Sequence, residues 1–326
     1  MRARTSASTE TQTTATSTEE FSVAGLLGGM VFDGDGFRAL ADKEDLVFDE
    51  LPVYADEFPK DTGGLLNPVT DAQWARMRDW HRQFMEYYLP GQEVEQVMLE
   101  ETSAMFSEVG EVGVITGCSG QVNVLTDVWE LSDTSSDEKI IDEVKGWLTD
   151  EQVLKAACSY VGIDDPVVRV DREYSSNGTV EYYSIRIYQQ GATAMETMFN
   201  ADLRSIELNV LADAIPDMNG NVRVGSPATR EVKGIYAGIS YETAEAQVLA
   251  GNGWAAGVGG GWGKSEPDGE FLGVDIVYRT PYEQAYSAPF YRFAFIKRDD
   301  WYESQQYPVK PYVYYYVSAV EFPLAQ

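Results

Sequence analysis

Apolar and polar positions along the chain follow two different periods, and each period predicts a different element. Apolar residues recur at helical spacing over residues 74–88, where Thr70 is suited to cap the helix and Pro90 to end it. Residues 122–126 and 183–187 instead alternate apolar with polar positions, which predicts half-buried strands. The chain therefore combines helices with β structure.

Turn residues organise the segments between these elements. The dipeptide Asn177-Gly178 separates an apolar run at 167–170 from the next alternating run, an arrangement typical of a β-hairpin. The acidic stretch 93–106 fits a helix or a strand equally well. Glycine-rich turns interrupt every apolar run between residues 21 and 56, so we expect an irregular region with short strands there.

Two stretches about ninety residues apart follow the same order of elements. Each has a capping residue, a strand start 34 positions later and a phenylalanine 50 positions later: Thr149, Tyr183 and Phe199 in the first, and Ser240, Val274 and Phe290 in the second. Thr149 and Gln152 also have the spacing of a capping box, which predicts a helix starting at Asp150. The pattern indicates a duplicated unit of one helix followed by antiparallel strands.

The residues of these two units resemble a known family. Residues 148–153 read LTDEQV and residues 182–185 read YYSI, while residues 239–244 read ISYETA and residues 274–278 read VDIVY. These segments resemble PepSY-type modules, and they are similar to those of surface lipoproteins and YycH/YycI-like regulators of Gram-positive bacteria. The resemblance covers roughly the C-terminal 180 residues. It implies a non-catalytic module outside the cytoplasm that binds or restrains another protein.

Both units depart from the PepSY pattern at one point. The Asp-Ala-x-x-Gly ending of a PepSY strand is replaced by Asn200-Ala201-Asp202 in the first unit and by Ser318-Ala319-Val320-Glu321 in the second. We nevertheless predict an α+β fold whose antiparallel sheets are each packed by a short helix. Four regions are expected: a disordered tether at 1–22, an N-terminal α+β region at 23–145, and PepSY-like units at 146–235 and 236–326.

Composition narrows the partners and the compartment. The chain has 53 acidic and 24 basic residues, and its net charge of -29 repels nucleic acids and anionic membrane surfaces. Residues 1–22 are rich in Ser and Thr, and no apolar run is long enough to form a signal peptide or a membrane span. A Ser/Thr-rich N-terminal segment of this kind is typical of exported, lipid-anchored bacterial proteins. We therefore expect a soluble chain at the cell surface, tethered only through an anchor that this sequence does not contain.

The sequence contains no complete catalytic or cofactor motif. The single histidine, His81, lies inside a predicted helix with aromatic neighbours and has no nucleophile motif beside it. The run ending in Gly263-Lys264-Ser265 has Val258 where a phosphate loop needs glycine. The Asp-rich turns at 33–36 and 217–221 lack the glycine and glutamate of an EF-hand. We expect no enzymatic activity, no cofactor and no metal.

The two cysteines, Cys118 and Cys158, do not form a metal-binding cluster. In an exported protein they could form a disulfide, and two idle thiols are the other interpretation. The sequence leaves this choice open.

Exposed aromatic residues are the remaining candidates for contact with a partner. Trp254 and Trp262 lie in a glycine-rich loop, and Tyr314 and Tyr316 share one face of a predicted strand. The leading hypothesis is an extracytoplasmic binding or regulatory module for an envelope protein or peptide. The alternative is a cell-surface protein that binds or cleaves glycans with exposed Trp and Tyr and a carboxylate pair. A flat patch or open strand edge would favour the first, and a concave aromatic face the second.

Overall fold

The structure is a computed structural model that describes residues 43–55, 69–117, 120–126, 129–174, 180–211, 220–227, 231–257, 263–264, 266–279, 286–297 and 312–321. Within these residues the protein is α+β, with antiparallel strands in two sheets. The helices are α1 (Asp71–Tyr88), α2 (Asp137–Asp150), α3 (Gln152–Val161), α4 (Ala194–Leu203) and α5 (Tyr241–Leu249). The strands are β1 (Glu50–Ala55), β2 (Val97–Leu99), β3 (Ala104–Val109), β4 (Val112–Thr116), β5 (Val122–Thr126), β6 (Pro166–Tyr174), β7 (Val180–Gln189), β8 (Ile206–Leu211), β9 (Gly220–Val224), β10 (Val232–Ala237), β11 (Trp254–Gly257), β12 (Gly263–Lys264), β13 (Gly269–Arg279), β14 (Tyr286–Lys297) and β15 (Tyr312–Ser318).

The first sheet has the strand order β2-β3-β4-β5-β9-β8-β7-β6. Helices α1, α2 and α3 contribute to one apolar core on a single face of this sheet, where Phe84, Val144 and Leu154 are fully buried with inward residues of β4 to β9. The domain boundary expected between residues 145 and 146 lies inside α2, and strands from both sides of it share this sheet. The N-terminal strands are therefore continuous with those of the first predicted unit.

The second sheet has the order β10-β1-β14-β15-β11-β12, with β13 on the other side of β14. Helix α5 packs on one face through Tyr241, Ala244 and Val248, which are buried against inward residues of β13, β14 and β15. Helix α4 lies between the two sheets, because it contacts both β7 and β13. At this junction the Asp202 carboxylate accepts a hydrogen bond from the Tyr278 N–H at 2.6 Å.

Two of the predicted helix starts are confirmed. Thr70 caps α1 with a reciprocal capping box that includes Gln73, and the helix ends at Tyr88. Ser240 caps α5 by accepting the Thr243 N–H. Both caps depend on residues three positions apart, and for that reason local sequence was sufficient to predict them.

The helix start predicted at Thr149 is wrong. Helix α2 continues to Asp150, and the Thr149 hydroxyl donates to the carbonyl oxygen of Lys145 within that helix. Helix α3 begins after Glu151, which makes no side-chain cap. The reason is the apolar stripe of α2, whose buried Ile140 and Val144 extend the helix through the polar residues that resembled a capping box.

The spacing of the predicted repeat is also corrected at its phenylalanines. Phe199 lies in α4, which Thr193 caps and which buries Met195 and Met198, whereas Phe290 lies in strand β14. Tyr183 belongs to the second strand of the hairpin β6–β7, while Val274 belongs to the first strand of the hairpin β13–β14. The matching positions therefore do not occupy equivalent elements.

The remaining sequence expectations concern strands. The ambiguous stretch 93–106 contains β2 and the start of β3, and β6 pairs with β7 around the predicted hairpin turn. The turn residues Asn177-Gly178 lie outside the described residues, as do residues 1–22, 33–36 and 217–219. Gly220 and Asn221, which were expected in a turn, are the first residues of β9. None of the described helices is both long enough and apolar enough to cross a membrane.

Candidate functional site

Strand β10 forms an edge of the second sheet. Its sequence VKGIYA includes the β-branched and aromatic residues that favour strands, and it pairs antiparallel with β1 on one side. Ile235 lies opposite Pro52, and Gly234 lies opposite Val53. At the step between Val53 and Tyr54 the register shifts, so that Lys233 forms a bulge.

Backbone hydrogen bonds define which groups of β10 point outward. The Gly238 N–H donates to the Asp49 carbonyl at 2.7 Å, so Gly238 faces β1. The Ala237 carbonyl accepts from the Glu321 N–H at 2.7 Å on the opposite side. Because successive residues of a strand alternate, Ile235 directs its N–H and C=O to the same outer side as Ala237. Within the described residues, the Ile235 N–H and C=O form no hydrogen bond on this side.

The side chains of this edge are unusually exposed for apolar residues. Val232 is 50% exposed and Ile235 is 61% exposed. An exposed apolar strand edge is a template for pairing with another chain. A bulge and a lysine are devices that limit indiscriminate edge pairing, and Lys233 supplies both. We refer to residues 231–237 as the β10 edge.

Acidic residues surround the β10 edge. Glu231 precedes the strand, Glu50 lies opposite Ala237, and Asp49 and Glu321 are its hydrogen-bonded neighbours. All four side chains are exposed, and none of them forms an ion pair within the described part of the chain. The basic residue of the edge, Lys233, holds its ammonium 4.8 Å from the centre of the Tyr286 ring. Residues 231–237 thus contain one acidic and one basic side chain, Arg230 directly precedes them in the sequence, and the neighbours Asp49, Glu50 and Glu321 add negative charge.

The tyrosines predicted to contact a partner are buried. Tyr314 is 4% exposed and Tyr316 is 3% exposed, in a second apolar cluster on the sheet face opposite α5. Tyr315, on the other face, is buried against α5. The expectation that one tyrosine row is exposed is thus corrected, because both faces of β15 are covered. Alternation along a strand distinguishes its two faces but does not show whether one or both are covered.

A buried ion pair lies beside these tyrosines. Residues Asp275, Arg292, Tyr316 and Trp254 are directly opposite one another on four adjacent strands. The Arg292 guanidinium donates to both oxygens of Asp275, at 2.9 and 2.6 Å, and lies 4.9 Å from the centre of the Tyr314 ring. Burial raises the pKa of Asp275, and Arg292 opposes that rise. This pair joins β13 to β14 inside the core.

The tryptophans give a mixed outcome. Trp254 is half-buried on β11, in the row that contains Arg292 and Tyr316, and Lys264 of β12 lies opposite it on its other side. Trp262 lies outside the described residues. Of the three predicted contact residues that the structure describes, Trp254 is the one that is partly accessible.

His81 is a core residue of the first sheet. Its Nε2 lies 2.8 Å from Ser107 Oγ, and its Nδ1 lies 2.8 Å from Thr116 Oγ1. The Ser107 hydroxyl donates to the Glu95 carbonyl, so it accepts from Nε2–H, and Nδ1 accepts from Thr116. Burial lowers the pKa of His81 from 6.5 to about 4. The imidazole therefore links α1 to β3 and β4, and Ser107 has no proton to give to it.

The described cysteine and acidic residues were the remaining candidates for a nucleophile or a metal site. Cys158 is a free thiol, and burial raises its pKa to about 11, so it is a weak nucleophile at neutral pH. Cys118 lies outside the described residues. No group of three or more His, Cys, Asp or Glu side chains within the described ranges is arranged to hold a metal ion.

Sequence reasoning missed the β10 edge. The β-branched and aromatic residues of the run Val232–Ala237 were a usable strand signal. Its position at an edge had no local signal, because it depends on pairing with β1, about 180 residues earlier in the chain.

Comparison with known proteins does not add a family. No protein-family model matches the chain, and no curated protein matches it in sequence.

Proposed function

We propose that this chain is a non-catalytic binding or regulatory module that holds a partner protein by adding one of the partner's extended segments to the β10 edge. The observation that carries the proposal is that the backbone N–H and C=O of Ile235 point outward. The side chains of Ile235 and of nearby Val232 are apolar and exposed. In strand addition, main-chain hydrogen bonds supply affinity and alternate side chains supply specificity. The β10 edge offers both features.

The finer description of the fold belongs to the same proposal. We propose that the chain carries two PepSY-like units. After α3 come the antiparallel strands β6 and β7 and, beyond α4, β8; after α5 come β11 and β12 and then the antiparallel strands β13, β14 and β15. In both cases the helix and the strands contribute to the same core. The support for a duplication is that each segment packs a helix on three antiparallel strands that pair in chain order.

Two observations support binding rather than catalysis or glycan recognition. His81 is committed to structural hydrogen bonds with Ser107 and Thr116, and its low pKa keeps it neutral at pH 7. Tyr314 and Tyr316, which the glycan alternative needs on the surface, are buried. A flat strand edge is the kind of site that a protein-binding module presents.

The proposed location is outside the cytoplasm, with the module tethered to the membrane. Its support is compositional: residues 1–22 are rich in Ser and Thr, and the rest of the chain is acidic. We propose that a lipid anchor holds this N-terminal segment at the membrane. The strongly negative charge disfavours direct contact with anionic lipids.

The decisive experiment is selection of displayed 12-residue peptides on the full chain, followed by binding to two variants. Ile235→Pro removes the outward N–H, and because proline is tolerated on an edge, its stability should stay near that of the parent chain. Ile235→Thr is the matched control that keeps this N–H and the strand preference. We expect selected peptides to protect the Ile235 amide from hydrogen exchange, to bind Ile235→Thr, and to lose at least tenfold in affinity for Ile235→Pro.

Either of two results would reject strand addition at this edge. The first is binding of the peptides to Ile235→Pro as tightly as to the parent chain. The second is protection of amides elsewhere while exchange of the Ile235 amide is unchanged.

A further inference from the structure

We propose that Met98 is an oxidation site on the first sheet, and that Arg78 of α1 holds the resulting sulfoxide by donating a hydrogen bond to its oxygen. The oxidant is a peroxide in solution. The site lies on strand β2, in a different sheet from the β10 edge, so the inference goes beyond the proposed function and does not depend on it.

Met98 differs from the other described methionines in its exposure. It is 44% exposed. The other five are each at most 8% exposed: Met77, Met85, Met105, Met195 and Met198. A peroxide must reach the sulfur before it can transfer oxygen, and burial removes that access. Among the described methionines, Met98 is therefore the one that a dissolved oxidant meets without any opening of the fold.

The position of Met98 explains its exposure. Strand β2 has three residues and stands at one end of the strand order of the first sheet. Met98 lies opposite Met105 of β3, which is 1% exposed and packs with Met77 of α1. Met77 and Met105 thus belong to the buried core beneath α1, and Met98 lies where that core reaches the solvent.

Arg78 provides a donor for the oxidised side chain. Its Nη2 donates to the Sδ atom of Met98 at 3.6 Å. Arg78 forms no ion pair within the described residues, the exposed carboxylates of Glu95, Glu100 and Glu101 beside β2 included. A thioether sulfur is a weak acceptor, whereas the oxygen of a sulfoxide makes the side chain polar. Because that oxygen is bonded to the sulfur, it is within reach of the same guanidinium, and a cationic donor gives a stronger hydrogen bond than a neutral one.

The oxidation requires access to the sulfur and no catalytic group. A lone pair of Met98 Sδ attacks one oxygen of hydrogen peroxide, and the O–O bond breaks. The sulfur loses two electrons and keeps that oxygen, whose proton passes to the leaving hydroxide to form water. The products are the sulfoxide and one water molecule. A sulfoxide reductase, which takes two electrons from a dithiol and releases the oxygen as water, would restore the thioether.

Oxidation should change how firmly β2 is held. The short strand pairs with β3, and its contact with α1 through Met98 is a weak hydrogen bond to sulfur. Segments held by few contacts open locally at a small cost in free energy, so one stronger hydrogen bond alters their opening measurably. We expect hydrogen exchange of the amides of residues 97–99 to slow by roughly three- to fivefold when Met98 is oxidised.

The first measurement locates the oxidation site in the full parent chain. The chain is treated with hydrogen peroxide at neutral pH, quenched, unfolded and digested with a glutamate-specific protease. Cleavage after Glu95 and Glu100 releases Met98 in one peptide, and cleavage after Glu101 and Glu108 releases Met105 in another, so mass spectrometry follows the two separately. We expect Met98 to be oxidised roughly tenfold faster than the five buried methionines, or more. Oxidation of Met98 no faster than that of Met105 would overturn the proposal.

Variants of α1 test Arg78 as a positioning residue. Arg78→Leu removes the donor, and Arg82→Leu is the matched control, because Arg82 is an exposed arginine of the same helix that pairs with Asp79. For each variant, exchange of residues 97–99 is measured before and after oxidation. The slowing should persist in Arg82→Leu, be lost in Arg78→Leu and be partly kept in Arg78→Lys, which retains a cationic donor. Equal slowing in Arg78→Leu and the parent chain would refute the hydrogen bond to Arg78.

Met98→Leu separates this site from the other methionines of the chain. Leucine is apolar and of similar volume, and it is not oxidised to a sulfoxide, so peroxide should leave exchange of residues 97–99 unchanged in this variant. The same slowing in Met98→Leu as in the parent chain would assign the effect to another residue and overturn the proposal. Exchange that stays unchanged in a parent chain with fully oxidised Met98 would equally show that Arg78 does not hold the sulfoxide.

Discussion

Acidification should destabilise this protein through its single histidine. His81 is buried and neutral, and its pKa is about 4 in the folded chain against 6.5 for a free side chain. Between these values the unfolded chain binds one more proton than the folded chain, so stability falls as the pH falls from 6.5 to 4. One pKa unit corresponds to about 1.4 kcal/mol, so the loss between pH 7 and pH 4 from this group is about 3 kcal/mol.

The assay must separate His81 from the 53 acidic residues, some of which also titrate in this range. We would measure urea unfolding at pH 7, 6, 5 and 4.5 for the parent chain and for His81→Gln, which does not titrate. The difference between their unfolding free energies isolates the imidazole. Because the chain has one histidine, the NMR signal of its Hε1 proton gives the folded pKa directly, without any variant.

The reasoning would be refuted by either measurement. A histidine signal that titrates with a midpoint near 6.5 would mean that the imidazole reaches solvent. If the unfolding free energies of the parent chain and His81→Gln fell by the same amount on acidification, burial of the neutral ring next to Ser107 and Thr116 would not contribute to the pH dependence.

Three further predictions concern the core and the helix caps. Asp275→Asn removes the bidentate counter-charge of Arg292 and should lower the free energy of unfolding in urea by about 3–5 kcal/mol. The double variant Asp275→Leu/Arg292→Met should recover most of that loss. An Asp275→Asn variant with the unfolding free energy of the parent chain would contradict a buried ion pair. Ser240→Ala should cost about 1 kcal/mol, and Thr149→Ala under about 0.5 kcal/mol, because only Ser240 is a cap; equal losses in thermal unfolding would contradict this assignment. Tyr314→Ala should cost about 3–5 kcal/mol in urea unfolding, since the ring is buried, and a loss below about 1 kcal/mol would mean that it is exposed.

Local sequence was a good guide to features that depend on neighbouring residues. The caps at Thr70 and Ser240 both involve residues three positions apart in the chain. Local sequence was misleading at Thr149, because α2, with its buried apolar residues, continues through the polar residues that resemble a capping box. It failed again at Phe199, where Met195 and Met198 pack as a helix against the second core.

The sequence by itself determined that this is an acidic α+β protein with antiparallel strands, because periodicity and capping are encoded within short segments. Only the tertiary structure decided which strands meet and which faces are covered. Pairing of β10 with β1 leaves Ile235 at an edge, and coverage of both faces of β15 buries Tyr314 together with Tyr315. Both outcomes arise from contacts between residues far apart in the chain, and a two-residue period carries no information about such contacts.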